Sequence, residues 1–538
     1  MLKPDVGLVT ADTVKDDVSK LEKHYRNVLT AELKKEQNLV LLADGWSNKN
    51  ATYQLYAIVA AYLTKKGDMR QTLVGVVDIG SATAEQLYDC FSQELDRSGL
   101  RLSQFSVMVA DGGSNLTALA ERLSIPKIHC GAHVIHLIVE DANRLKAVDN
   151  IVGKCRKLAG QLSRSPKARK DLSNAALKAN NRSPLPQNFS VTRWLGSRVL
   201  VSSVRNHIGS LASVPALSGT SFSGSEQLMM KFYVDITEPL HMTSLRFESR
   251  SSPSSELIPY LSLCKVNMDS ITRQFLDDKE YDKIGNFVKS VSKRLLSNIQ
   301  YRLDSFLKNE TVLTAMVMDP RFAFSENIVD AECWVAAEEY ILGKFSSDVP
   351  EGNQEEAQPA LKKTKSSKLL SMDAMLLVQQ SSVSLLSDRD AVKKELFRYK
   401  TTCCKERPGS HIQPTSYWET NNSSFPLLSG FSKKYLQIPA SSASTERIFS
   451  KSSRIVANRL RNRLSAETCS SLLMVQAFMG LEQQETTSAA PIDEYSDDET
   501  DNANGSTLST LKPSTSIHGM GDYSGLCPQD LSDFDPDD

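Results

Sequence analysis

"NLVLLADGWSN" (residues 38–48) and "FSVMVADGGSN" (105–115) decide how the rest of the chain is read. In each, an apolar run drives into a carboxylate: Leu39–Ala43 into Asp44, and Val107–Ala110 into Asp111. A carboxylate at the end of a buried strand loses hydration, and a cation or hydrogen bonds must offset that loss. Either Asp-Gly alone is also ordinary turn chemistry. On adjacent strands the two aspartates would face each other across about 5 Å. Like charges at that distance repel unless Mg²⁺ or Mn²⁺ sits between them. Paired divalent ions of this kind serve phosphoryl transfer. The pattern identifies no third carboxylate.

Outward from the two stretches, the periodicity predicts a helix over 11–36 with Val14, Val18, Leu21, Tyr25 and Val28 on its apolar stripe. Strands follow at 39–46, 53–63 and 71–80, the second apolar on both faces and therefore central. Next come a helix at 83–99 closed by Gly99, a strand at 105–111, a short helix after Asn115, and a fifth strand at 125–133 turning into a helix. Strands alternating with helices in this way describe an α/β mixed sheet with helices on its faces. From 134 to about 345 helical stripes dominate, with 134–162 reading as one long helix and breaks at 213–224 and 249–255. A polar stretch at 346–368 reads as a mobile loop, and 386–400 as helix. The last ordered segment, 424–480, holds a helix around Glu446 and another capped by Ser465, which carries Leu472, Val475 and Met479 and stops at Gly480.

The chain of 538 residues has no run of about 18 apolar residues, so a membrane is not an expected partner. The N-terminal stretch lacks the pattern of a secretory signal. Nine cysteines without a C-x-x-C read as reduced thiols of the cytosol or nucleus. The net charge of −1 hides a split: from Glu482 onward the charge is −13, and residues 1–481 carry +12. The acidic stretch 481–538 reads as disordered, and the basic remainder is compatible with a polyanion partner.

Taken together, the order of motifs resembles the hAT transposases and the domesticated proteins derived from them. The resemblance rests on "LLADGWSN" (41–48), "VMVADGGSNL" (107–116), "IHCGAHVIHL" (128–137), "VTRWLGS" (191–197) and the block 417–478, and covers about 10–480. It implies an RNase H-like mixed sheet core, interrupted by a long all-α insertion and completed by a C-terminal helical hAT dimerisation region. The corresponding divisions are an N-terminal helical segment (1–37), the first part of the core (38–133), the insertion (134–423), the dimerisation region with the last core helices (424–480) and the tail (481–538). It also implies a catalytic and metal-binding set, Asp44, Asp111 and Glu446, holding two Mg²⁺ or Mn²⁺ ions, although 335 residues separate Asp111 from Glu446.

Other expectations attach to the same frame. Trp194, beside Arg193, suits stacking on an extruded base, the plain alternative being a core tryptophan. The cluster Lys154, Arg156, Lys157, Arg164, Lys167, Arg169 and Lys170 suits a DNA backbone, the alternative being a solvated helix face. A second cluster lies at 451–463, and "KKTKSSK" (362–368) suits nuclear import. Cys130 and His133, with His136, lack a fourth ligand and read as an active-site-adjacent motif rather than a zinc site. Phe449, Leu472, Val475 and Met479 are the candidate residues for homodimerisation. Three departures from the family pattern stand out: no zinc finger precedes the core, Thr445 precedes Glu446, and "IGSATAEQ" (79–86) follows the third strand. The expected protein is a dimerising, DNA-binding hAT-type transposase, or a catalytically inactive nuclear regulator built on the same scaffold and contacting other regulatory proteins.

Overall fold

A strand that buries both faces belongs in the middle of a sheet. In the computed structural model, which describes residues 10–47, 54–80, 82–188, 195–217, 219–345, 388–456 and 464–486, β2 (Gln54–Leu63) is such a strand. It pairs antiparallel with β1 (Leu39–Ser47) on one side and β3 (Met69–Asp78) on the other. β4 (Phe105–Ala110) and β5 (Lys127–His129) continue parallel from the far edge of β1, giving the order β3-β2-β1-β4-β5. The architecture is therefore α/β with a mixed sheet, as the sequence pattern requires.

Helix α1 (Ala11–Leu33) covers the sheet with a face that keeps Tyr25 of the expected stripe, leaves Val18 half-buried, and is otherwise shifted. Val14, Leu21 and Val28 are exposed, and the buried face is Tyr25, Arg26, Leu29 and Leu33. Polar anchors select it: Tyr25 Oη donates to the Leu73 carbonyl at 2.8 Å, and Arg26 reaches Glu94 at 2.6 Å. Glu94 lies on α2 (Ala84–Arg97), beneath Gly75 of β3, where any Cβ would stand 2.3 Å from the Glu94 side chain. After α3 (Ser114–Arg122), the expected long helix is two, α4 (Gly131–Asn143) and α5 (Lys146–Arg164). Their apolar stripes are out of phase: a helix continuing past Ile138 and Ala142 would bury 145–146 and 149, whereas burial restarts at Val148, Ile151 and Val152. The break at Leu145 resolves that conflict.

The helical middle continues with α6 (Pro166–Lys178), α7 (Gly196–Leu211), α8 (Gly224–Glu248), α9 (Leu257–Asp277), α10 (Gly285–Leu307), α11 (Glu310–Val317) and α12 (Ala331–Lys344). The expected loop at 346–368 and the tail lie outside the described residues. The chain resumes in α13 (Asp388–Lys405), α14 (Pro414–Thr420), α15 (Pro426–Leu436), α16 (Ala443–Val456) and α17 (Ala466–Thr486). α17 runs past Gly480, and Ser465 caps it as expected, accepting the Thr468 N–H at 3.1 Å.

The segment between α15 and α16 ties the start of α4 to the turn after α8. Ala440 N donates to the Ser252 carbonyl (2.8 Å), Ser254 N to the Ile438 carbonyl (2.6 Å), and Gly131 N to the Ala440 carbonyl (2.9 Å). Gly131 is required there, because a Cβ would meet Leu257, Phe247 and the Ala440 oxygen at 2.4–3.0 Å. Next to this bridge lies a buried ionic network. Arg246 grips Glu256 at 2.6 and 2.7 Å, and Arg321 reaches Glu256 at 2.9 Å and Asp319 at 2.7 and 2.9 Å.

Candidate active site

β1 and β4 part company just before the two aspartates. Their pairing ends at Ala43–Ala110, so Asp44 and Asp111 flank the crevice where β4 stops. Asp44 is not at the end of its strand, as expected, because β1 continues to Ser47 in the hairpin with β2. Local backbone fixes each carboxylate: the Gly45 N–H donates to Asp44 Oδ1 at 2.8 Å, and the Gly113 N–H donates to Asp111 Oδ1 at 3.0 Å.

Glu446 reaches the same rim from the other end of the sequence. It sits in the first turn of α16, which packs across β1 and β2. Trp46 of β1 stacks on Phe449 of α16, with ring centroids 6.3 Å apart and planes 15° from parallel. The electrostatics register the convergence. Burial and then the charge of Asp111 push Asp44 up to about 7, with the Gly45 N–H and the Thr445 side chain offsetting only part of this. Burial, then Asp44 and Glu248, push Glu446 up to about 9; Arg447 relieves it in part, and Asp111 adds to the repulsion. The three expected carboxylates thus share one electrostatic neighbourhood. Among the described residues, no three His, Cys, Asp or Glu side chains are gathered into a ready-made metal cage.

Several residues around the rim carried no distinctive signal in the sequence. Glu248, on the last turn of α8, is a fourth acid beside Glu446, and nothing in its local sequence separates it from an ordinary helix-surface glutamate. Asn115 Nδ2 donates to Tyr56 Oη at 2.8 Å. Lys127 Nζ donates to Thr117 Oγ1 at 2.7 Å; burial lowers its pKa and Asp111 raises it.

The Cys130 thiol is buried, accepts the Ser442 N–H at 3.3 Å, and is pushed up to about 11 by burial, so it is a structural contact between α4 and the segment leading to Glu446. His133 lies between His129 and His136, with centroids 5.9 and 6.1 Å away, and burial lowers the pKa of all three imidazoles.

The nucleic-acid expectations separate. Arg193 and Trp194 lie outside the described residues, as do the side chains of 451–463. Arg156, Lys157, Arg164, Lys167, Arg169 and Lys170 are exposed on α5 and α6. Lys154 departs from the expectation: both Glu226 oxygens hold it, at 2.7 and 2.9 Å, and it sits over the Phe222 ring. The dimerisation expectations need a similar correction. Phe449 and Val475 are buried within the chain, whereas Leu472 is half-buried and Met479 is 54% exposed. The buried face of α17 is Cys469, Leu473, Met474 and Val475, and Phe478 packs on His24 and Tyr25 of α1.

Comparison with known proteins adds an independent line. Residues 392–479 match the hAT family C-terminal dimerisation region, which begins upstream of the boundary at 424 drawn from the sequence. Zinc finger BED domain-containing protein 6 of Mus musculus is 22% identical over 473 residues, covering 81% of this chain and 47% of that protein. Its Homo sapiens counterpart is 23% identical over 467 residues, covering 79% and 46%. Zinc finger BED domain-containing protein 4 of Homo sapiens is 21% identical over 384 residues, covering 69% and 30%. The chain spans less than half the length of these relatives.

Proposed function

The chain is a hAT-family or hAT-derived protein, and on that premise we propose that it is a self-associating, DNA-binding protein whose sheet rim is a metal-dependent strand-cleavage centre on an RNase H-like core. The reading is supported by one placement: Asp44 and Asp111 lie just past the end of the β1–β4 pairing, and α16 brings Glu446 to the same strands, with burial and neighbouring charge raising Asp44 and Glu446. Folding alone favours pairing or dispersing such groups, and strongly raised carboxylates in a crevice are a mark of functional sites. Their all-oxygen donor set fits a hard divalent cation.

When bound, Mg²⁺ or Mn²⁺ supplies Lewis acidity to a phosphodiester and lowers the pKa of an attacking water or hydroxyl. Asp44 and Asp111, oriented by the Gly45 and Gly113 amides, would supply carboxylate oxygens to the ion, and Glu446 would add its own from α16. The exposed cations of α5 and α6 provide a sequence-independent track for the backbone. Self-association is supported by the match to a dimerisation region. No helix among the described residues is long and apolar enough to cross a membrane, and the proposed place of action is the nucleus.

The second reading, an inactive nuclear regulator on the same scaffold, is favoured by the absence of a closed cage among the described residues. A nicking assay on hairpin-prone DNA with Mn²⁺ separates the two. Cleavage by the wild type and none by Asp111→Ala supports the enzyme; equal inactivity of both leaves the scaffold.

A further inference from the structure

The backbone that leads into Glu446 is held in place by the end of α8 and the turn after it together with the start of α4. Residues 438–442 form no strand of the sheet. Beyond local turns, their hydrogen bonds go to Ser252, Ser254, Phe247, Gly131 and Cys130, with Ser441 Oγ donating to the Phe247 carbonyl at 2.6 Å. Three of these five partners lie at the end of α8 or in the turn that follows it, and the other two at the start of α4. The same turn is fixed from within: Ser252 Oγ donates to Glu256 at 2.7 Å, and Ser255 Oγ donates to Asp319 at 2.6 Å. Glu256 and Asp319 have no exposed surface, and Arg321 is 7% exposed, so each charge depends on the others. Arg447, next to Glu446, completes the link by donating to the Glu248 carbonyl at 3.0 Å.

We infer that Arg321, Asp319, Glu256 and Arg246 form a positioning unit, through which the helical insertion sets the place of Glu446 relative to Asp44 and Asp111. A buried ion pair contributes little net stability over apolar packing. What the interlocked charges do supply is one permitted geometry: losing Arg321 strands the buried Asp319 carboxylate, and losing Arg246 frees Glu256 from its two-point grip. The geometry imposed on 252–256 passes through the 438–440 bridge to the first turn of α16. The unit itself contacts neither Asp44 nor Asp111, so its effect on the rim is indirect. The functional meaning rests on the proposed metal centre; the mechanical coupling does not.

Amide hydrogen exchange on the full chain, without added metal, tests the coupling. Arg321→Gln, and the gentler Arg246→Gln and Ser252→Ala, are compared with wild type in peptides covering 438–449, β2 and β4. The expected result is exchange about tenfold or more faster in 438–449, with β2 and β4 within about twofold of wild type. Arg246→Lys should restore protection. A uniform rise through all three regions, or no rise, overturns the inference; if Arg321→Gln does not fold, the two gentler variants decide.

Mn²⁺ binding, read by electron paramagnetic resonance, supplies the second arm: Arg246→Gln should bind about tenfold more weakly than wild type. Faster exchange at 438–449 with unchanged Mn²⁺ affinity also overturns the positioning role. Local exchange as expected, in a wild type that binds no Mn²⁺, removes the metal centre and leaves the coupling standing.

Discussion

Glu256 and Asp319 are wholly buried and reach guanidinium nitrogens at 2.6–2.9 Å, whereas at the rim Asp44 and Asp111 accept only neutral backbone amides at 2.8 and 3.0 Å, and the charges of Asp44, Asp111 and Glu446 act against one another. The same chemical group is thus treated in two opposite ways within one chain. In the network, Arg321 is pushed up from its ordinary value: burial opposes its charge, but Asp319 and Glu256 more than compensate. At the rim, Arg447 only partly relieves Glu446, and Asp44 and Glu446 are driven toward their neutral forms. The difference teaches that burial alone does not dictate the rim. Where the fold needs a buried carboxylate, it provides a cation; where it provides too little positive charge, a ligand is the natural counterpart.

The contrast breaks most sharply at Arg321. Arg321→Met leaves two buried carboxylates with inadequate compensation and should cost about 3–5 kcal/mol, read as a lowered urea midpoint. Asp44→Asn should move stability the other way in metal-free buffer, by on the order of 1 kcal/mol, because it removes repulsion. If both variants destabilise alike, the two sets of acids are not different in kind.

A pH series sharpens the comparison further. Asp44 (about 7) and Glu446 (about 9) hold protons in the folded chain at pH values where the unfolded chain has released them. The folded state then binds more protons, so stability declines as pH rises from about 4 through the folded values. Metal-free Tm should fall by a few degrees between pH 6 and pH 9, a range chosen for the measurement. Asp44→Asn should flatten the slope, and saturating Mn²⁺ should reverse it, because cations and protons compete for the same oxygens.

The smallest effect concerns the basic surface, where paired and unpaired charge again differ. Neutralising Arg169 should lower the salt slope of DNA binding by about one. Lys154→Ala should leave that slope unchanged, since Lys154 is held by Glu226. Fluorescence anisotropy over a salt series reads both.

The sheet was legible because two apolar runs and a strand buried on both faces, β2, admit few arrangements. Asp44 and Asp111 were legible for the same reason, as charged groups at matching places in the pattern. Glu446 was reached through resemblance alone: its own neighbourhood is an unexceptional helix start, and what makes it special is a contact across hundreds of residues. Glu248 was missed for that reason, and so was the ionic network, whose partners are scattered among Arg246, Glu256, Asp319 and Arg321. The α1 stripe was right at Tyr25 but misled at Val14, Leu21 and Val28, because Arg26 turned the packing face through a hydrogen bond to Glu94 that apolar periodicity does not encode.

The distance in sequence between Asp111 and Glu446 also orders events in time. A ribosome adding about 5–20 residues per second exposes the first two acids roughly half a minute before the third is made. Throughout that interval the nascent chain carries an incomplete set. Any product terminated before α16 keeps it incomplete for good. The full complement of rim acids is therefore conferred only after the helices that hold it in place.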